Sequence, residues 1–183
     1  MKQFIMILII STGIIQAGLS QKYFTKSAAI SFFSDTKMEK IEAHNKSSNC
    51  VLDASTGKLE FGSLIKGFQF KKALMQEHFN ENYMESSKFP KATFKGQIDN
   101  YVVVDPSKNQ KINVKVSGDL TIHGITKKVT TDATLDMKTG QIFANATFPI
   151  TIADYNISVP SLVKDQIAKT VNVKVSANLD LLK

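Results

Sequence analysis

Apolar and polar residues alternate with a period of two along most of the second half of the chain. In residues 110–122, the even positions from Ile112 to Ile122 are apolar or glycine, and the odd positions are polar. Because successive side chains of a strand point to opposite faces, this alternation predicts a strand with one buried face. Similar patterns predict three more strands, over residues 129–137, 142–152 and 171–181.

The apolar faces of these strands agree across the first connection between them. If His123 and Gly124 form a two-residue turn, Ile122 pairs with Ile125 and both face inward. A four-residue loop would instead pair Ile122 with Lys127 and would keep the same faces. Both turn lengths therefore predict a hairpin with one continuous apolar face.

The second connection, at residues 138–141, keeps the same faces. As a four-residue loop it pairs Met137 with Ile142, and both are apolar. Three successive strands therefore form a meander whose apolar face is continuous.

Shorter β patterns occur earlier in the chain, over residues 28–34, 40–45, 50–54, 58–65 and 91–98. The total is about eight strands, and the later ones have about ten residues or more, whereas a typical strand has roughly five or six. Long, amphipathic antiparallel strands twist strongly, and a sheet of them curls and closes on itself. The predicted fold class is all-β, an extended antiparallel β-barrel of about eight strands in a single domain.

The segment at residues 70–85 breaks the β pattern with a run of helix formers. Leu74, Met75, His78 and Phe79 fall at helical i, i+4 spacing. A helix with one apolar stripe has to bury that stripe. We therefore predict one short amphipathic helix that caps an end of the barrel.

Residues 1–20 have the layout of a secretory signal peptide. Lys2 precedes a short apolar run, and the small residues Gly18 and Ser20 end the segment. The apolar run is short for a membrane span, although an uncleaved N-terminal anchor is the alternative. Cleavage after Ser20 would leave a domain of residues 21–183, exported to the periplasm or the extracellular space.

The charge pattern argues against specific recognition of nucleic acid. The net charge is +7, but the chain contains no Arg and no run of Lys longer than two. Arg is the residue best suited to planar, bidentate contacts with bases, so we predict no nucleic-acid partner. The scattered lysines are typical of a solvated surface. Transient contact with anionic lipid headgroups at a membrane surface is a secondary interpretation.

Two groups of residues have the types, but not the spacing, of chemical sites. Glu77, His78 and Glu81 fall within about one helical turn but lack a second His, so a solvated helix face is favoured over a metal site. His44 follows Glu42 by two residues on the same face of a strand. A surface pair is favoured there over a general base and its orienting carboxylate.

The remaining candidates also favour a structural role. Cys50 is the only cysteine and has no basic cluster beside it in the sequence, so we predict a buried, unreactive thiol. His123 has the parity of the polar face or lies in the turn, away from the apolar interior. No GxSxG, HExxH or phosphate-binding Gly-rich motif is present in the sequence. No catalytic residue and no metal ligand is predicted, and an enzyme using His44, His78 or His123 remains a minor alternative.

Two stretches carry a resemblance to a known family. "FQFKKALMQEHFNENYMESSKFPKATFKGQI", from Phe68 to Ile98, and "VSGDLTIHGITKKV", from Val116 to Val129, occur in that order. Together they resemble the YceI-like lipid/polyisoprenoid-binding family. The resemblance implies a lipocalin-like barrel whose lumen holds a long isoprenoid chain, such as a quinone tail or a polyprenyl lipid. It also implies an exported protein that is not an enzyme, with no cofactor other than the bound isoprenoid or quinone.

The predicted site is therefore the hydrophobic lumen, formed by inward-facing residues of the strands and by the helix. We predict that it is lined by Phe32, Leu74, Met75, Phe79, Ile112, Val114, Val116, Leu120, Ile122, Leu135, Ala146, Phe148, Val173 and Val175. Small inward residues such as Ala146 suggest a channel, although they could equally accommodate large neighbours. The alternative function is a structural or stress-response protein with a packed barrel and no specific ligand. The sequence does not determine whether the protein forms a homodimer.

Overall fold

The computed structural model describes residues 21–101 and 105–182, and the predicted signal peptide lies outside them. The strands are β1 Lys22–Asp35, β2 Lys40–Asp53, β3 Lys58–Leu64, β4 Gln69–Phe70, β5 Lys91–Ile98, β6 Gln110–Ile122, β7 Ile125–Lys138, β8 Gln141–Thr151 and β9 Thr170–Leu181. The helical elements are α1 at Ala73–His78, a π-helical turn at Phe79–Tyr83, and 3-10 turns at Ile65–Gly67, Ile152–Tyr155 and Ser161–Val163. Within the described residues, no helix combines the length and the hydropathy needed to cross a membrane.

Eight of the strands form a closed antiparallel barrel, as predicted. Their order is β1-β9-β8-β7-β6-β5-β3-β2, and β2 pairs with β1 to close the sheet. The short strand β4 continues the line of β3, because it pairs with β2 at Ala43 and His44, beyond the residues of β2 that pair with β3. Closure removes the free edges that a sheet of this length would otherwise expose.

The predicted meander of β6, β7 and β8 is present, and its second turn is shorter than the four-residue loop that was predicted. Ile122 pairs with Ile125 and Met137 pairs with Ile142, so the inward faces match across both connections. The second loop has two residues rather than four, because the residues on either side of Thr139 and Gly140 also pair. Both central residues of each turn have positive φ, which is the geometry that suits the right-handed twist of long hairpins.

The prediction of separate strands at residues 40–45 and 50–54 was wrong, because residues 40–53 form the single strand β2. The pairing of β1 with β2 shifts register on both sides of Ala28. Asn45 and Ser48 lie on opposite parities, yet they are 1% and 0% exposed. A bulge in β2 therefore reverses the alternation, and this reversal hides the continuity of the strand in the sequence.

The predicted helix at residues 70–85 is shorter than expected. Phe70 lies in β4 and pairs with Ala43, so the helix cannot begin before that pair. The α-helical part covers Ala73–His78 and continues as the π-helical turn to Tyr83. The backbone N–H of Phe70 also donates to the side-chain oxygen of Gln76 at 3.1 Å, which ties β4 to α1.

One end of the barrel, which we call the closed end, is tightly packed. Met137, Ile142 and Leu179 are at most 1% exposed, and they belong to the same buried cluster as Tyr23. The hydroxyl of Tyr101 donates to the carbonyl of Ala54 at 2.6 Å across this end. Because the described residues fill this end, we expect a ligand to enter the barrel from the opposite end.

Candidate ligand-binding site

The barrel encloses a cavity of about 400 Å³. This volume lies in the range of roughly 300–1,000 Å³ that is typical of ligand pockets. Inward-facing side chains of all eight barrel strands form its wall, and almost all of them are apolar. Such a wall stabilises an apolar chain by about 0.8 kcal/mol for each buried CH₂ group, with little dependence on polar contacts.

Most of the residues predicted to line the lumen are in the wall of this cavity. They are Phe32, Met75, Phe79, Val116, Leu120, Ile122, Leu135, Ala146, Phe148, Val173 and Val175. The structure thus brings together residues of five strands and of the helical segment.

The structure places Ile112 and Val114 outside the cavity, although both were predicted to line it. Both pack, partly buried, against the cluster that fills the closed end. Their parity is inward, as expected, but they lie near the start of β6, where the barrel is full. Alternation in a sequence identifies the face of a strand and not the depth along the barrel.

Leu74 was also predicted to line the lumen, and the structure places it on the outer surface of α1. Its side chain is 60% exposed and does not belong to the cavity wall. The cavity wall instead includes Met75, His78 and Phe79 from this segment. Successive residues of a helix point about 100° apart, so the pattern of a six-residue helix does not determine whether Leu74 joins its neighbour Met75 on the inner face.

Alanines make room in the middle of the wall. Ala133 pairs with Ala146 across β7 and β8, and Ala144 pairs with Ala177 across β8 and β9. All four line the cavity. Because neighbouring small residues occur on three adjacent strands, the lumen stays open there instead of being filled by interdigitating side chains.

Two glycines shape the neighbouring part of the wall, on β5 and β6. Gly96 pairs with Gly118 across β5 and β6, and a Cβ atom on Gly118 would lie 2.6 Å from Cζ of Phe94. The Phe94 ring therefore lies over this glycine pair, against the wall rather than across the lumen. This packing explains why the alternating pattern of β6 has a glycine at an inward position.

A cluster of four aromatic rings, which we call the aromatic cap, joins the helical segment to the barrel. The ring of Phe79 lies 5.4 Å from Phe32, 5.6 Å from Phe68 and 5.0 Å from Phe70, measured between centroids. These separations are within the range of favourable aromatic pairs. The sequence prediction missed Phe68 and Phe70, because the 3-10 turn at Ile65–Gly67 interrupts the alternation that could have identified them.

At the end opposite the closed end, exposed side chains form part of the cavity wall, and we call the opening there the mouth. It is bordered by the β1–β2 turn at residues 36–39, by α1, and by the β8–β9 connection at residues 152–169. Each contributes one polar side chain to the cavity wall, namely Glu39, His78 and Gln166. Of these, His78 and Gln166 are exposed and Glu39 is partly exposed.

Three polar contacts hold the segments around the mouth in place. Lys72 Nζ lies 3.1 Å from Glu39 Oε1, which joins the segment before α1 to the β1–β2 turn. His123 Nε2 lies 2.8 Å from Glu85 Oε2, and His123 Nδ1 lies 3.1 Å from the carbonyl oxygen of Tyr155. The His123 side chain is 10% exposed. His123 is thus in the hairpin turn, as predicted, and it also connects that turn to two neighbouring segments, which the sequence did not indicate.

A buried polar network interrupts the apolar wall. Asn45 Nδ2 donates to Ser63 Oγ at 3.0 Å and to the carbonyl of Leu64 at 2.9 Å, and Ser48 Oγ donates to Ser63 Oγ at 2.9 Å. Ser63 is 4% exposed and lines the cavity. A hydroxyl has one donor and two acceptor positions, and Ser63 uses both acceptor positions here. Its hydroxyl hydrogen has no acceptor among the described residues.

The other groups that were considered for chemistry lie in structural settings. His44 Nε2 lies 2.9 Å from Glu42 Oε1, and both side chains are more than one-third exposed, so this is a surface pair. Cys50 is a buried free cysteine, and burial raises the pKa of its thiol to about 12. Among residues 21–101 and 105–182, no three His, Cys, Asp or Glu side chains are grouped as they would be around a metal ion.

The architecture places this protein among the closed antiparallel barrels that enclose an apolar cavity. Its sequence matches the YceI-like domain over residues 23–179. The chain therefore belongs to the YceI-like family, which agrees with the resemblance noted in the sequence. No match was found among the curated proteins.

Solved structures from three bacteria have a similar fold. A polyisoprenoid-binding domain from Saccharophagus degradans, implicated in plant cell wall breakdown, is 15% identical with a TM-score of 0.77, covering 89% of this chain and 99% of that domain. BcnA of Burkholderia cenocepacia is 19% identical with a TM-score of 0.67, covering 83% and 95%. The YceI protein of Campylobacter jejuni is 22% identical with a TM-score of 0.54, covering 74% and 83%.

Proposed function

We propose that this protein is an exported binding protein that holds one long apolar chain inside its barrel. The chain would be a polyisoprenoid, a quinone tail or a related lipid, held for sequestration, storage or transport. The observation that carries the proposal is the cavity of about 400 Å³, walled by apolar side chains from every barrel strand. The polyisoprenoid-binding domain with the same fold supports this ligand class.

The alanine patch favours a ligand over a packed core. Ala133, Ala144, Ala146 and Ala177 leave space that larger residues would otherwise fill. An empty apolar space of this size is costly, because the side chains around it lose packing contacts on one side. A bound chain restores those contacts.

The polar network in the wall indicates that the ligand carries a polar group in addition to its apolar chain. Ser63 lines the cavity and its hydroxyl oxygen accepts from Asn45 and Ser48, which leaves its hydrogen for an acceptor on a ligand. An oxygen acceptor on the chain, such as a carbonyl, would satisfy it. We therefore favour a ligand that carries at least one acceptor oxygen over a pure hydrocarbon.

The direct test is organic extraction of the protein purified from its native host, followed by mass spectrometry. We expect about one lipid chain per protein molecule. In Ala146→Phe the new ring would occupy the lumen, so the amount of extracted lipid should fall by more than half. Thr147→Phe is the matched control, because residue 147 is exposed on the outer face of the same strand.

Wild-type protein that yields no stoichiometric lipid would overturn the proposal and favour the packed barrel. The same holds if Ala146→Phe and Thr147→Phe, both folded by circular dichroism, retain equal amounts of lipid.

Export is proposed from the N-terminal sequence. Expression of the full chain in a bacterial host should yield protein outside the cytoplasm with a new N-terminus near Gln21. N-terminal sequencing after cell fractionation measures this directly. Recovery of the uncleaved chain in the membrane fraction would favour the N-terminal anchor instead.

A further inference from the structure

We propose that the mouth of the barrel docks on an anionic lipid bilayer, so that the bound chain passes between the bilayer and the lumen without crossing water. The transfer of a chain between bilayer and lumen rests on the proposed function. The docking surface itself is inferred from the side chains around the mouth.

Each of the three segments that border the mouth carries an exposed aliphatic side chain. Met38 of the β1–β2 turn is 68% exposed, Leu74 of α1 is 60% exposed, and Leu162 of the β8–β9 connection is 93% exposed. Leu64, at the end of β3, is 53% exposed at the same end of the barrel. Single exposed apolar residues are ordinary, but here they recur on every segment around one opening.

Lysines accompany these aliphatic residues. Lys37 precedes Met38, Lys71 lies three residues before Leu74, and Lys164 lies two residues after Leu162. All three lysines are exposed, and none has an ion pair among the described residues. An aliphatic tip beside a free ammonium group suits the boundary of a bilayer, where acyl chains meet anionic phosphates.

Two acidic residues near the opening have polar partners. Glu39 is paired with Lys72, and Glu85 is hydrogen-bonded to His123. Glu77 and Glu81 lie on the helical segment and Asp165 follows Lys164, so the attraction comes from individual lysines rather than from a uniformly basic face. We therefore expect weak, salt-sensitive and reversible docking, which suits a protein that has to leave the membrane again.

The shape of this surface favours a bilayer over a protein partner. The exposed aliphatic side chains stand on three separate connections around an opening, instead of lining a continuous groove. A fluid bilayer accepts separate insertions, whereas a protein interface needs a packed, contiguous core. A second copy of the chain is an alternative occupant, and the experiment below distinguishes it.

The experiment measures binding of the protein of residues 21–183 to vesicles by flotation. We expect binding to phosphatidylcholine vesicles with about 30% phosphatidylglycerol, and at least about tenfold less binding at 0.5 M salt. The variant Met38→Ser/Leu74→Ser/Leu162→Ser should partition at least about tenfold less, because three apolar insertions are lost. Leu181→Ser/Leu182→Ser is the matched control, because these leucines are 46% and 53% exposed at the closed end.

The orientation is tested with an environment-sensitive fluorophore on a Met38→Cys or Thr139→Cys variant. Cys50 should remain unlabelled at neutral pH, because it is buried and its pKa is about 12. On vesicles, emission from position 38 should shift to the blue, whereas emission from position 139, in the closed-end turn, should not.

Equal vesicle binding by the triple variant and the wild type would overturn the docking proposal, as would an equal loss in the closed-end control. A concentration-dependent dimer that disappears in the triple variant, without vesicle binding by the wild type, would also overturn it. The lipid extracted from the same samples is measured separately. Vesicle binding by a protein that carries no chain would refute the proposed function and leave the docking surface intact.

Discussion

Side chains on the inner wall meet an environment that changes their chemistry. The Cys50 thiol is the clearest case, because burial raises its pKa from 9.0 to about 12. The folded protein therefore favours the neutral thiol, whereas the unfolded chain ionises it near its ordinary pKa. The stabilisation that follows is fully present below about pH 9 and is lost as the pH rises toward 12.

We expect this loss to be visible as a pH-dependent difference between wild type and Cys50→Ala. The free energy of unfolding, measured by urea titration at pH 8 and pH 10.5, should fall more for the wild type than for the variant. The difference between the two proteins isolates the thiol from the lysines and tyrosines that titrate in the same range. Parallel behaviour of the two proteins would contradict the assignment.

Ser63 gives a second prediction for a single residue. Ser63→Ala should weaken binding of a long-chain ketone by roughly three- to tenfold, because a net hydrogen bond contributes about 0.5–1.5 kcal/mol. Binding of an alkane of the same length should stay within about twofold. Competition against a fluorescent apolar probe measures both affinities. Equal weakening for the two ligands would show that the hydroxyl acts through packing and not as a donor to the ligand.

Among the elements, the helical segment depends most on its surroundings. Isolated helices shorter than about 12–15 residues are marginal in water, and α1 has six residues followed by a five-residue π-helical turn. The aromatic cap and the Lys72–Glu39 pair therefore hold it across the barrel end.

Removal of the central ring of the aromatic cap should loosen this segment without unfolding the barrel. We expect Phe79→Ala to raise the rate of ligand dissociation about tenfold, since a partly buried phenylalanine contributes about 1.5 kcal/mol. Leu74→Ala, on the exposed side of the same helix, should change the rate by less than about twofold. Stopped-flow displacement of a fluorescent chain measures both rates, and equal rates for the two variants would argue against a cap at Phe79.

The sequence predicted some elements well, for identifiable reasons. The meander from β6 to β8 was predictable, because its alternation is unbroken and its turns keep the faces aligned. β2 was not, because a bulge between Asn45 and Ser48 reverses the parity of the strand. Bulges depend on the pairing partner, and a single strand does not reveal its partner.

The candidate site shows a similar division. Val116 and Leu120 line the cavity as predicted, whereas Ile112, on the same face of the same strand, packs at the closed end. Periodicity shows whether a side chain points into the barrel. It does not show how far along the barrel axis the cavity extends, because that depends on which end is filled by side chains of other strands. The contacts of His123 with Glu85 and Tyr155 join residues that are 38 and 32 positions apart, and no local pattern contains that information.

The whole molecule divides into a packed end and an open end, and we expect their stabilities to differ. In hydrogen exchange, amides of β6 and β7 beside Met137 should exchange slowest, and amides of residues 152–169 should exchange much faster. If the barrel holds a chain as proposed, its extraction should accelerate exchange around the mouth and change exchange at the closed end by less than about twofold. Uniform acceleration along the barrel would mean that the ligand supports the whole fold, contrary to this division.

The packed cluster around Met137 and Leu179 also restricts the order of events in ligand traffic. Among the residues that the structure describes, the barrel has one opening, so a chain that enters has to leave by the same route. A donor and an acceptor of the chain cannot then be engaged at once, since both need the same opening. The protein would have to dissociate from the donor before it binds the acceptor. Transfer would then proceed by a carrier that moves between the two, and not through a channel that connects them.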